Sequence, residues 1–130
     1  MKRTLKWIAA ACFAAISTFP SLALAASASP VGTWQVTTGE ARYAVVSCGS
    51  GQLCAKLIWL RSDARTAQNV ALLNHYVVNG ARAEGGGKWS GNVTFNGNSY
   101  AGTMQLVSTN FMTLKGCSGI LCQTYEFTRI

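Results

Sequence analysis

Acidic side chains are scarce in this chain of 130 residues, which contains only Glu40, Asp63, Glu84 and Glu126. No two of them are close in sequence, and Glu126 falls on the outward face of the last predicted strand. The sequence therefore gives no sign of the carboxylate pair that a glycosidase uses. It also lacks the H-E-x-x-H, G-x-S-x-G and phosphate-loop motifs. We predict no catalytic residues and no cofactor.

Histidine is scarcer still, because His75 is the single one in the chain. A lone histidine that enters a strand is typical of a surface or packing residue. With no catalytic set in view, the sequence predicts a non-enzymatic binding or envelope-maintenance module. The alternative is a small envelope hydrolase that uses His75 with Asp63. A third class is an inhibitor of a host or rival enzyme, although a basic protein would associate poorly with a partner as basic as lysozyme.

The first 25 residues have the pattern of a secretory signal peptide. Three basic residues precede a mostly apolar run at 7–19, and Ala23-Leu24-Ala25 places small residues before a cleavage site. The run is too short for a spanning helix, and Pro20 argues against an uncleaved membrane anchor. We expect a periplasmic or secreted protein with no transmembrane segment after cleavage, in which a single domain occupies residues 26–130.

Cleavage after Ala25 changes the charge of the protein. It leaves 105 residues with eight basic and four acidic side chains, so the net charge falls from +7 to +4. The basic residues are spread along the chain, whereas nucleic-acid-binding proteins usually cluster them on one face. We expect no nucleic-acid partner. A small apolar ligand or an anionic envelope component is the expected partner, and the sequence does not indicate an oligomeric state.

Four cysteines remain after cleavage, an even number that suits an exported domain. Short glycine-containing turns separate Cys48 from Cys54 and Cys117 from Cys122, so each pair can face itself across a hairpin. The spacing favours these two local disulfides over long-range pairings. A zinc site is the alternative, but only the second pair has zinc-ligand spacing and only His75 could assist it, so we predict no metal.

Period-two alternation of apolar and polar residues predicts strands along most of the mature chain. An Asn-Gly step at 96–97 lies between two alternating runs and predicts a tight hairpin, and Gly39 marks a turn between the first two strands. These features predict an all-β fold, an antiparallel barrel or sandwich.

One segment, 61–87, departs from the alternation. Arg61–Asn74 is predicted as a loop with one helical turn, His75–Val78 as a short strand, and Gly80–Gly87 as a mobile connector. An irregular crossover is the expected role of this segment, and a lid is the alternative.

Large aromatic rings fall mostly on inward-facing positions of the predicted strands. We expect them to fill the interior as core. The alternative is an apolar ligand cup, as in lipocalin-type barrels, lined by Trp34, Trp59, Trp89, Tyr100 and Tyr125.

Short segments spread over nearly the whole mature domain resemble the family of small exported bacterial proteins known as DUF2147. They are Gly32-Thr33-Trp34, Leu53-Cys54-Ala55-Lys56-Leu57 with Trp59, Trp89-Ser90-Gly91, Tyr100-Ala101-Gly102, Leu114-Lys115-Gly116-Cys117 and Thr128-Arg129. The chain departs from the family pattern at Ala55, where many members have glycine, and at Asp63 and Asn69, which replace an Asp-x-x-Asn element. The resemblance implies a small antiparallel, up-and-down β-barrel of lipocalin-like shape, and it implies no activity.

Overall fold

A closed barrel of antiparallel strands forms the protein in the computed structural model, which describes residues 28–95 and 97–130. Within that part of the chain, consecutive strands are neighbours all the way round. The strands are β1 (Gly32–Val36), β2 (Ala41–Gly49), β3 (Gln52–Leu60), β4 (Tyr76–Gly85), β5 (Lys88–Phe95), β6 (Asn98–Ser108), β7 (Phe111–Ser118) and β8 (Leu121–Arg129). The predicted all-β, antiparallel up-and-down barrel is confirmed. The predicted signal peptide at 1–25 lies outside the described residues and stays a prediction.

The first and last strands close the barrel. Trp34 of β1 pairs with Arg129 of β8, and Val36 pairs with Phe127. Closure satisfies the backbone hydrogen bonds of both strands that would otherwise be sheet edges. It also divides each strand into an inward and an outward row of side chains, because successive residues point to opposite faces.

Glycines with positive φ shape the predicted turns. Gly39 has a φ of 82° and its N–H donates to the carbonyl of Val36 at 2.8 Å. Phe95 pairs with Asn98 across the predicted β5–β6 hairpin, where Gly97 has a φ of 75°. L-residues with a Cβ adopt such φ values only with strain, so glycine suits both turns.

The crossover between β3 and β4 contains a 3₁₀ turn at Ser62–Ala64 and the short helix α1 at Ala67–Leu72. The sequence predicts a loop with one helical turn there, and the structure has two short helical segments. The predicted connector at Gly80–Gly87 is wrong, because β4 continues through it to Gly85.

Close packing between β4 and β5 explains why the sequence of β4 does not alternate clearly between apolar and polar residues. Ala81 of β4 is fully buried, and a Cβ on Gly91 of β5 would lie 2.8 Å from the Ala81 Cα. The inward row of β4 is therefore small at this point, and Gly80, with a φ of 61°, accompanies a shift in register. Both features interrupt the alternation of apolar and polar residues from which strands are predicted.

A clamp of Arg129 and Trp34 closes one end of the barrel. Trp34 is fully buried, and its indole N–H donates to the carbonyl of Pro30 at 2.8 Å. The Arg129 guanidinium lies 4.3 Å from the Trp34 ring centroid. It donates to the carbonyls of Ser29 and Val31 at 2.8 Å and of Thr109 at 2.9 Å. The clamp thus ties the segment before β1 and the β6–β7 turn across this end.

The other two tryptophans have different environments. The sequence predicts an inward Trp59, and the structure corrects this. Arg42 pairs with Trp59 while Tyr43 pairs with Leu57, so β3 has one extra residue, Ile58, between the two pairs. This bulge turns Trp59 outward, where the Arg42 guanidinium lies 4.3 Å from its ring. Trp89 is half-buried beside the closed end, opposite Met104 of β6.

Two disulfides fasten hairpins at opposite ends of the barrel. Cys48 and Cys54 lie near the β2–β3 turn with their sulfur atoms 2.09 Å apart. Cys117 and Cys122 are direct register partners on β7 and β8, with sulfur atoms 2.10 Å apart. Each bridge therefore joins strands that are already neighbours in sequence and in space.

Replacing Trp34 should destabilise the protein far more than replacing Trp59. Trp34→Ala should cost about 3–5 kcal/mol of unfolding free energy, because it empties a fully buried site. Trp59→Ala should cost about 1 kcal/mol, since one face of that ring meets solvent and Arg42. Urea denaturation of both variants at 25 °C measures the difference. If Trp34→Ala does not fold, Trp34→Phe provides the comparison, and equal losses at the two positions would contradict the clamp.

Chymotryptic peptides of the unreduced protein should show both bridges as local. Cleavage after Leu53 and after Leu121 separates the two cysteines of each pair, so each pair should appear as two peptides joined by a disulfide. Reduction should lower stability by roughly 2 kcal/mol per bridge, because the closed loops are short. Mass spectrometry identifies the linked peptides, and a peptide that joins Cys48 or Cys54 to Cys117 or Cys122 would overturn the assignment.

Candidate functional site

The interior of the barrel contains a cavity of about 630 Å³, open at the end opposite the clamp. A volume of this size is typical of small-molecule sites, which range from about 300 to 1,000 Å³. All eight strands and the crossover contribute to its lining. Its apolar lining includes Val36, Val45, Leu57, Leu60, Leu72, Val77, Val78, Val93, Met104, Met112, Leu114 and Phe127.

Small side chains leave this space empty. Ala41, Ala55 and Gly116 all face the cavity, and a Cβ built on Gly116 would meet no atom within 4 Å. The expectation that large rings would fill the interior is therefore wrong. The inward rows have too few large residues on the strands around the open end, where alanine and glycine stand at those positions.

Polar side chains gather at the open end. Thr38 and Glu40 come from the β1–β2 turn, Thr94 from the end of β5, Ser118 from the end of β7, and Asn69 from α1. The deeper lining is aliphatic and aromatic. An apolar interior with a polar rim is the usual arrangement of a pocket that takes a mostly apolar molecule from water.

Hydrogen bonds fix α1 beside the opening. The Thr66 hydroxyl accepts from the N–H of Asn69 at 3.2 Å and caps the helix, and the Asn69 side-chain amide donates to the carbonyl of Ala64 at 2.8 Å. The backbone of Asn74 donates to Leu57 of β3 at 2.7 Å. The crossover is thus attached to the barrel wall, with Asn69 and Leu72 facing the cavity.

Arg61 joins the crossover to the β1–β2 turn at the rim. Its guanidinium donates to both carboxylate oxygens of Asp63, at 2.6 and 2.8 Å, and to the carbonyl of Thr38 at 3.1 Å. The Arg61 hydrogen bonds hold the pKa of the Asp63 carboxyl below its usual value. Because Asp63 is exposed, this pair contributes little to stability, and its main effect is to orient the 3₁₀ turn.

The family model that describes an uncharacterised protein conserved in bacteria, DUF2147, matches residues 32–129. The chain belongs to this family. No curated protein and no solved structure matches it. The match spans the whole barrel, and with it the cavity and the clamp, so the family assignment covers the site as well as the fold.

The residues of the hydrolase alternative do not form a pair in this DUF2147 barrel. Both oxygens of the Asp63 carboxylate accept from Arg61, and no hydrogen bond joins Asp63 to His75 in the part of the chain that the structure describes. His75 is exposed where the crossover enters β4, and its backbone carbonyl accepts from the N–H of Leu57 at 3.2 Å.

Residues 28–95 and 97–130 contain neither a metal-binding cluster nor a membrane-spanning helix. No three histidine, cysteine, aspartate or glutamate side chains in this set come together as a metal-binding group. No helix in the same set is long and apolar enough to cross a membrane.

The five rings predicted to line a ligand cup occupy different places. Tyr100 and Tyr125 line the cavity. Trp34 lies in the clamp, Trp59 lies on the outer surface, and Trp89 borders a shallower pocket of about 280 Å³ at the closed end. Sequence periodicity cannot separate one end of a barrel from the other, because inward residues at both ends have the same spacing.

Tyr43 is a cavity residue that the predicted set lacks. It alternates with Val45 on β2, and its ring packs edge-on against Phe127, with centroids 5.5 Å apart and an interplanar angle of 89°. Burial, with a smaller contribution from nearby Tyr125, raises the pKa of the Tyr43 hydroxyl. Its alternation with Val45 predicts an inward position, but nothing in the sequence shows which of the inward rings border open space.

The raised pKa of Tyr43 should make the protein less stable at alkaline pH. An unfolded tyrosine titrates near pH 10, whereas folded Tyr43 keeps its proton to higher pH. The folded state then binds more protons, so stability declines as pH rises above about 10. Tyr43→Phe should remove this part of the decline, and ultraviolet absorbance should show the loss of a tyrosine that titrates above about pH 10 in the folded protein. The same late step in Tyr43→Phe would contradict the assignment.

Proposed function

We propose that this DUF2147 protein is an exported binding module that holds a small apolar molecule in its barrel and does not convert it chemically. The single observation that carries the proposal is the cavity of about 630 Å³, open at one end and lined mainly by aliphatic and aromatic side chains. Soluble barrels that leave such a space unfilled commonly use it for one small ligand.

Apolar burial supplies the affinity in this proposal. A ligand that hides about 250 Å² of apolar surface gains roughly 6 kcal/mol at about 25 cal/mol per Å². The loss of translational and rotational freedom offsets several kcal/mol of that gain. The proposal therefore includes a modest affinity, which suits a carrier or sensor that must also release its ligand.

Export is the second part of the proposal. Its support is the signal pattern at 1–25 together with two cysteine pairs at bonding distance, since disulfides persist mainly in oxidising compartments. The bridges lie at the β2–β3 and β7–β8 hairpins, so they would protect the barrel from local opening in an environment without reducing agents.

Binding is favoured over hydrolysis because Asp63, the carboxylate of the hydrolase alternative, and the Asn69 amide already have hydrogen-bond partners. Arg61 bonds to Asp63 and to the Thr38 carbonyl, and the Asn69 amide bonds to the Ala64 carbonyl. A hydrolase needs a base within hydrogen-bond reach of a nucleophile or a water in the site. His75, the base of that alternative, is exposed on the crossover and does not line the cavity.

Filling the cavity should abolish binding of an apolar probe. Gly116 faces the open space, and its φ is one that side-chain-bearing residues adopt, so Gly116→Leu should project its side chain inward without strain. We expect the protein purified after expression of the full chain to enhance the fluorescence of N-phenylnaphthylamine in a saturable way. Gly116→Leu should weaken that binding at least tenfold, a difference of about 1.4 kcal/mol.

The matched control adds the same side chain to the outer face. Ala101 of β6 is exposed, and its register partner, Cys117, is the neighbour of Gly116. Ala101→Leu should bind the probe like the unmodified protein. Equal affinity in all three proteins would locate the probe on the surface and refute the proposal, as would the absence of saturable binding.

A further inference from the structure

We propose that the cavity selects uncharged apolar molecules that carry a hydrogen-bond acceptor, and that the Tyr43 hydroxyl donates to that acceptor. The inference rests on the proposed function and adds the chemical class of the ligand. It follows from two observations on the cavity lining, namely an unpaired hydroxyl group and matched charges.

The Tyr43 hydroxyl faces the cavity without a partner. No hydrogen bond joins it to any residue that the structure describes, and no buried polar side-chain atom among those residues lacks a partner, so the hydroxyl must be open to the cavity space. Its ring is held by Phe127. Tyr43 therefore presents a fixed donor on an apolar wall, and a ligand that fills the cavity without pairing with it would leave it desolvated at a cost.

The hydroxyl of Tyr125, by contrast, is already engaged. It donates to the side-chain oxygen of Gln123 at 2.7 Å, and both side chains line the opening. Tyr125 can therefore still accept, but its proton is already in use. Tyr43 is the direct register partner of Trp34, so its backbone lies beside the closed end, and its side chain lines the cavity.

No unmatched charge faces the cavity in the part of the chain that the structure describes. Glu40 is the charged residue of the lining, and its carboxylate stands at the rim, 4.0 Å from Arg61. The nearby guanidinium of Arg61 directs its donors to Asp63 and Thr38. A carboxylate or sulfonate inside the barrel would lose its hydration without gaining a counter-charge, and a buried unpaired charge is costly.

An acceptor without a proton of its own fits Tyr43 best. A ketone, ester or ether oxygen cannot donate, so it needs a donor from the protein. Tyrosine titrates at about pH 10, so the Tyr43 hydroxyl carries its proton at neutral pH and can donate it. The ligand class is therefore a neutral, mostly apolar molecule with a carbonyl or ether oxygen.

Three fluorescent probes test the selection. Prodan is neutral with a ketone acceptor, N-phenylnaphthylamine is neutral without an oxygen, and anilinonaphthalene sulfonate is anionic. In titrations of the full-length expressed protein, binding that Gly116→Leu abolishes is counted as cavity binding. We expect Tyr43→Phe to weaken prodan by about five- to tenfold, the effect of one hydrogen bond, and to leave N-phenylnaphthylamine within about twofold. The sulfonate should bind in the cavity at least tenfold more weakly than prodan.

Tyr125→Phe is the matched control, because it removes a second cavity hydroxyl, one that already donates to Gln123. It should leave the ratio of the prodan affinity to the N-phenylnaphthylamine affinity unchanged. Equal effects of Tyr43→Phe on both neutral probes, no effect on either, or cavity binding of the sulfonate as tight as that of prodan would each overturn the inference and leave the proposed function standing. Failure of all three probes to bind in the cavity would overturn both.

Discussion

The pairing of β1 with β8 is the constraint on which the rest of the structure depends. These strands are the two ends of the barrel sequence, and they meet where the Arg129 guanidinium lies over Trp34. One arginine there satisfies three backbone carbonyls from two separate segments, and the buried indole satisfies a fourth. Without this junction the sheet would have two open edges, and the apolar inward row would face solvent.

The clamp also explains why the larger cavity opens at the end of the barrel opposite Trp34. At the closed end, the large ring of Trp34 and the segment before β1 occupy the space. Toward the other end, the inward positions include Ala41, Ala55 and Gly116, and a helix lies beside the opening. The inward side chains around the opening therefore leave a space that a fully packed core would not contain.

Much of the fold could be predicted because strands β2, β5, β6, β7 and β8 alternate regularly and are separated by glycine-containing turns. Two wrong predictions, the inward Trp59 and the connector in place of the second half of β4, have local physical causes. The bulge beside Leu57 reverses the face of Trp59, and the contact between Ala81 and Gly91 gives β4 an inward residue too small to register as apolar. The sequence ranked the cavity below a filled core for a different reason. Its size depends on the sum of side-chain volumes across facing strands, and that sum requires the register.

The neighbour-only topology has a consequence for how the chain folds. Every strand pair but one joins segments that are adjacent in sequence, and most are connected by tight turns, so their contacts form with little loss of chain entropy. The exception joins Trp34 to Arg129 across almost the entire domain. We therefore expect the hairpins to form quickly and the pairing of β1 with β8 to limit the rate of folding. A half-formed molecule would be a curved, open sheet whose two unpaired strands both belong to the clamp.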